Sequence, residues 1–266
     1  MRIGVGLPTT TPGADGALVL DWARRADAGP FSSLAVLDRV VYDSFEPFAA
    51  LGAAAGVTER VRLATMIAIG PIRPPVLLAK QAASLNSLSR GRFTLGLGLG
   101  ARRDDYERSG VALRGRGRKL SEQLALIRGE LNGLEVLVGG GSGPAFARMA
   151  RYADGYAHGG GPPRAFASAA GRAVAAWNDL GRPGKPALWG QGYFALGDVE
   201  RGNDYLRDYY AFTGPFAEQI VAANLTSGRA IKDFVRGYEE AGCDELVLFP
   251  TASSLSQLER LEEALA

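Results

Sequence analysis

The chain has 266 residues, 47% of them hydrophobic, which is enough for a large core and about the length that one (β/α)8 barrel needs. Its 30 basic side chains nearly balance 28 acidic ones, and the one short basic run is Arg114, Arg116, Arg118 and Lys119, so nucleic acid is not expected as a partner. A single cysteine, Cys243, excludes an internal disulfide and a multi-cysteine metal site, and a single histidine, His158, argues against a histidine-based metal centre.

The N-terminus, Met1-Arg2-Ile3-Gly4-Val5-Gly6-Leu7-Pro8, reads as a first strand and is too short for the apolar region of a signal peptide. No stretch approaches the roughly 18 uninterrupted apolar residues of a membrane span. A cytoplasmic protein without membrane contacts is therefore expected. Apolar runs follow at 3–7, 33–37, 61–69, 93–99, 134–138, 155–158, 187–196 and 246–249, separated by segments of helical period. Their near-continuous character suits parallel strands covered on both faces, and eight is the number a closed barrel requires. The expected fold class is α/β, a (β/α)8 TIM barrel in one domain over residues 1–266.

Pro74-Pro75 opens a helix that Gly91 ends, and Thr226 or Ser227 caps another running from about Arg229 to Ala241, closed by Gly242. Residues 199–224 are helical and rich in aromatics. Tyr205, Tyr209, Tyr210, Phe212 and Phe216 are expected in the core or at a homodimer interface, not against a ligand. Cys243, beside the last apolar run, reads as a small buried hydrophobe.

Barrel active sites lie at the C-terminal ends of the strands. The fifth run leads into Gly139-Gly140-Gly141-Ser142-Gly143-Pro144 and then a helix, and the sixth into His158-Gly159-Gly160-Gly161-Pro162 and another. A glycine loop at a helix N-terminus presents N–H groups to an anion, although glycines also make plain tight turns. Two such loops on neighbouring strands suit a phosphate, which the Ser142 hydroxyl and His158 would also contact; a structural role for His158 is the other reading. At the fourth strand end stands Gly96-Leu97-Gly98-Leu99-Gly100, compatible with a flat ring packed on the backbone or with a cramped barrel interior. Asp38 and Arg39, charged residues ending the second run, are either binding residues or an exposed ion pair.

These pieces, in this order, resemble the luciferase-like monooxygenase family, which includes bacterial luciferase, flavin-dependent monooxygenases and enzymes using the deazaflavin F420. The resemblance rests on Arg2–Pro8, residues 31–42, Thr58-Glu59-Arg60-Val61-Arg62-Leu63-Ala64-Thr65, residues 74–85 joined to Leu88-Ser89-Arg90-Gly91-Arg92-Phe93, Gly139–Ser142 with Ala153-Asp154-Gly155-Tyr156, and residues 241–250. It implies an oxidoreductase in which F420 or FMN exchanges a hydride with a small organic substrate. The ring would lie against Thr65, Met66, Ile67, Gly98 and Gly100. The phosphate would sit in Gly139, Gly140, Gly141, Ser142, His158, Gly159 and Gly160, with Asp38 also at the cofactor. The family's cis peptide would fall at Met66-Ile67.

Two departures from the family are visible. Where many members have an acidic residue followed by a catalytic histidine, this chain has Asp38-Arg39, and arginine cannot take the proton-transfer role. Asp38 and Arg39 are then the candidate catalytic residues, with Arg39 stabilising an anionic reduced cofactor or binding an anionic substrate. The glutamate that some F420 enzymes carry after the fourth strand is Ala101. The usual insertion before the fifth strand is also trimmed, since Leu131-Asn132-Gly133 leads directly into Leu134. An open, wetter mouth follows, which suits hydride transfer better than oxygenation, a chemistry that needs water excluded. Arg102, Arg103 and Arg164 would meet the F420 tail. A non-catalytic flavin-binding or storage protein, a flavin-dependent monooxygenase and a subunit of a larger assembly are the alternatives.

Overall fold

A computed structural model describes residues 1–266. Its strands are β1 (Arg2–Gly6), β2 (Ser33–Val36), β3 (Arg62–Thr65), β4 (Ala68–Ile69), β5 (Phe93–Gly98), β6 (Glu135–Gly139), β7 (Gly155–Ala157), β8 (Ala187–Phe194) and β9 (Glu245–Pro250). They form one sheet in the order β3-β2-β1-β9-β8-β7-β6-β5-β4, and a further pairing of β3 with β5 closes it. Every pairing between these strands is parallel. β3 and β4 together make one stave, so the fold is the expected eight-stave TIM barrel.

The run read as one strand over 61–69 is thus two strands. The peptide Met66-Ile67 between them is cis, at the position the resemblance implied. Ala64 pairs with Thr94 and Ala68 with Leu97, so the three residues between them on one side oppose two on the other, a bulge in the third stave.

The surrounding helices are α1 (Gly16–Ala28), α2 (Pro47–Ala55), α3 (Pro75–Leu88), α4 (Arg103–Arg108), α5 (Arg116–Glu130), α6 (Gly143–Tyr152), α7 (Pro163–Asp179), α8 (Val199–Tyr209), α9 (Phe216–Ala222), α10 (Gly228–Glu240) and α11 (Leu255–Leu265). Pro75 occupies the first turn of α3, whose end turns through left-handed Arg90 (φ 55°) and Gly91 (φ 79°). Ser227, not Thr226, caps α10 by accepting from the Ala230 N–H.

Alternation along the strands sorts the core into two layers. Leu34, Val36, Leu246 and Leu248 pack outward against the helices in a cluster of 51 buried residues. Ala35, Leu37, Val247 and Phe249 point inward, with Trp189 and Tyr193, in a cluster of 14. Cys243 is buried between β8 and β9, and burial pushes its thiol up to about 12. No helix is long and apolar enough to cross a membrane.

Candidate functional site

A cavity of about 600 Å³ opens at the C-terminal ends of the staves, lined among others by Leu37, Asp38, Met66, Ile67, Gly100, Arg102, Gly139–Ser142, His158–Gly160, Tyr209 and Tyr210. The two glycine loops converge on it. Gly140 (φ 125°) and Gly160 (φ 97°) hold conformations that favour glycine, which turns each chain sharply from strand to helix. The N–H groups of Gly140, Gly141, Ser142 and Gly143, at the start of α6, have no acceptor within the chain, and neither do those of Gly159–Gly161. The Ser142 hydroxyl makes no capping bond of its own. A Cβ at Gly141 or Gly159 would meet nothing within 4 Å, so both glycines border open space.

His158 begins the second loop, its ring edge-on to Phe166. Its Nδ1 is buried without a partner. Burial, and secondarily the charge of Arg172, lowers its pKa below the ordinary 6.5. Arg172 stacks over Phe146 and donates to the Gly141 carbonyl at 3.2 Å, which holds a positive charge behind the cradle. Nothing in the spacing of Arg172, a full helix beyond the glycines, distinguished it from the surface arginines.

The ring wall needs two corrections. Thr65 is fully buried, its hydroxyl donates to the Gly96 carbonyl and accepts from the Gly96 N–H, and it does not line the cavity. Gly98 does not line it either, because a Cβ there would stand 1.9 Å from Ile67 Cδ1. At Gly96 a Cβ would be 2.1 Å from the Thr65 carbonyl oxygen. The glycines of β5 therefore make room for the third stave's bulge, which is the cramped-interior reading. Met66, Ile67 and Gly100 do line the cavity.

Asp38 and Arg39 are both buried and both engaged elsewhere. The Asp38 carboxylate accepts from the Ile69 N–H at 2.7 Å and from Arg73 Nη1 at 2.5 Å, bracing the second stave to the third. Burial raises the Asp38 pKa against the pull of Arg73. Both carboxylate oxygens are held by Arg73, so Asp38 braces the wall of the cavity that it lines.

The Arg39 side chain, 6% exposed, donates to Asp104 at 2.8 Å and pairs with Asp105 at 2.9 Å, and it does not line the cavity. Asp105 is fixed in turn by the N–H groups of Val40 and Val41. Two carboxylates thus neutralise Arg39 away from the cavity, and because it is buried the exposed-ion-pair reading fails.

The aromatic stretch behaves differently from expectation. Tyr205 and Tyr209 are buried within the chain, and Tyr209 and Tyr210 line the cavity, while Phe212 and Phe216 are about half exposed. Arg102 reaches the same wall. Arg103 instead pairs with Glu107 on the surface, and Arg164 is exposed and outside the lining. Between α5 and β6 the chain makes only a short turn, so the excursion after β8, not an insertion before β6, supplies this side of the mouth.

A family model described as luciferase-like monooxygenase matches residues 1–136. An uncharacterized protein of Mycobacterium tuberculosis is 33% identical over 190 residues, covering 53% of this chain and 65% of that protein, slightly under two thirds of its length. An F420-dependent secondary alcohol dehydrogenase, solved with an F420-acetone adduct, superposes with a TM-score of 0.84 at 16% identity, covering 99% of this chain and 97% of that one. The oxygenating constituent of 3,6-diketocamphane monooxygenase from Pseudomonas putida, solved with FMN, gives 0.74 at 17% identity, covering 98% and 96%. These two structures share the fold.

Proposed function

Because the chain belongs to the luciferase-like monooxygenase family, we propose that it is an oxidoreductase that holds F420 or FMN in this cavity and exchanges a hydride with a small organic substrate. The observation that carries the reading is the convergence of two glycine loops, with unaccepted N–H groups and the orphaned His158 Nδ1, on one cavity. A phosphate fits such a cradle, and the end of α6 adds its dipole. The bound ring would supply the redox chemistry.

The chain's own residues hold, orient and partly shield that ring. Gly140–Gly143 and Gly159–Gly161 offer donors to phosphate oxygens, and the Ser142 hydroxyl adds another. Leu37, Met66 and Ile67 form an apolar floor, and Tyr209 and Tyr210 exclude water from one side. Both lining carboxylates, Asp38 and Asp105, are held by arginines. Neither carboxylate is therefore free to supply a proton that accompanies the hydride. A single functional domain over residues 1–266 is part of this proposal, and the membership of every strand in one barrel supports it.

The test is to titrate FMN and F420 separately while recording the visible spectrum, then to offer reductants and alcohols to the complex. Binding of one cofactor with reversible bleaching supports the proposal, and failure of both to bind refutes it. Binding without any turnover supports a non-catalytic binding protein, the second reading that the engaged Asp38 and Arg39 favour.

A further inference from the structure

The charge balance of the cavity is uneven. Its two carboxylates are each consumed by an arginine, Asp38 by Arg73 and Asp105 by Arg39. Two other arginines of the lining, Arg102 and Arg116, have no carboxylate within 4 Å. Arg116 donates to the Gly100 carbonyl at 3.2 Å and lies over the Tyr106 ring. Arg102 is the more constrained. Its guanidinium lies 4.2 Å from the Tyr209 ring centroid and 4.3 Å from that of Phe212, with Tyr210 at 5.3 Å. One nitrogen, Nη2, donates to the Tyr209 carbonyl, while Nε is buried with no partner.

A guanidinium clamped between rings is already ordered, so binding an anion there costs little side-chain entropy. A partly buried cation that lines a cavity and has no carboxylate of its own is in turn a favourable place for a ligand's anion. The neighbouring tyrosine faces suit an apolar or aromatic body attached to that anion.

We infer that Arg102 is a receptor for the carboxylate of a ligand whose remainder is apolar or aromatic. The inference rests on the cavity being the ligand site, and it names what the cavity selects. That description fits an organic substrate and not the glutamate tail of F420, which is polar along its length.

The experiment compares benzoate with its neutral isostere benzamide by calorimetry on the full chain as purified, so it does not depend on which cofactor binds. Benzoate is expected to bind at least about ten-fold more tightly, with the preference falling as salt is added. Arg102→Gln should erase the preference, Arg102→Lys should keep part of it, and Arg103→Gln, a surface change of the same charge, should keep all of it. Repeating the titration on protein saturated with F420 or with FMN separates the sources. If benzoate keeps its preference on F420-saturated protein, the inference stands; if it binds FMN-saturated but not F420-saturated protein, the tail takes Arg102 and the inference falls. Equal binding of benzoate and benzamide, no binding of benzoate, or a preference that survives in Arg102→Gln overturns the inference. If Arg102→Gln does not fold, an Arg102→Lys preference identical to wild type, or a wild-type preference insensitive to salt, overturns it equally.

Discussion

Replacing Arg73 with methionine isolates the brace at the floor of the cavity. The Asp38 side chain is 1% exposed and that of Arg73 is 11% exposed, so Arg73→Met leaves a carboxylate buried with only the Ile69 N–H for company. Breaking a buried pair from one side costs about 3–5 kcal/mol. For a chain of this size that corresponds to a melting temperature lower by roughly 6–20 °C. Asp38→Asn in the same background keeps an acceptor for Ile69 while removing the orphaned charge, so the double variant should recover at least about 2 kcal/mol of the loss. The pH dependence has a definite sign. Burial already raises the Asp38 pKa, and removing Arg73 takes away the main opposing influence. A folded-state carboxyl pKa above the unfolded one means the deficit is fully present above the folded value and fades as pH falls through it. Thermal melts of the single and double variants across acidic and neutral pH give both quantities. A single-variant deficit below about 1 kcal/mol, or one that does not shrink on acidification, refutes the reasoning.

Four further outcomes follow from the site. His158, the only histidine, gives one set of imidazole signals in a proton NMR titration; its pKa should lie below 6.5 and move upward when a phosphate-bearing ligand binds. Because the unfolded chain takes up that proton more readily, this residue's contribution to stability is complete above about pH 6.5 and declines as pH falls toward the folded value, which urea melts across that range measure. Arg39→Gln should cost about 1–3 kcal/mol through the loosened Asp105, yet change cofactor affinity by no more than about two-fold in a fluorescence titration. Gly98→Ala should cost about 1–3 kcal/mol by displacing Ile67, and Ile67→Val should restore part of it in thermal melts, whereas no such partner rescues Gly96→Ala, whose obstacle is the Thr65 carbonyl.

The barrel was legible because its strands are continuous apolar runs bounded by glycine and proline, a pattern that depends on local order alone. The anion loops were legible for a related reason: a strand, a glycine turn and a helix start are consecutive in the chain. What stayed hidden was the pairing of distant side chains. Arg39 reads as a charge at a strand end, and only the closed barrel brings it to Asp105, 66 residues away. Asp38 likewise looks like a catalytic acid until Arg73 folds back onto it. The glycines of β5 admitted two readings because the object filling their space, Ile67, comes from a different stave. Tyr209 and Tyr210 read as core or interface since α8 follows the seventh stave, where helical period reveals a buried face but not what that face borders.

The most direct test of the account compares FMN with riboflavin, which differ only by the phosphate, in equilibrium binding to wild type and to Gly141→Glu, whose side chain would place a carboxylate in the open space of the cradle. If the glycine loops hold the phosphate, FMN binds about 10- to 100-fold more tightly than riboflavin, and Gly141→Glu removes that difference without weakening riboflavin. Equal affinity of wild type for the two flavins, or a preference for FMN that survives the substitution, contradicts it.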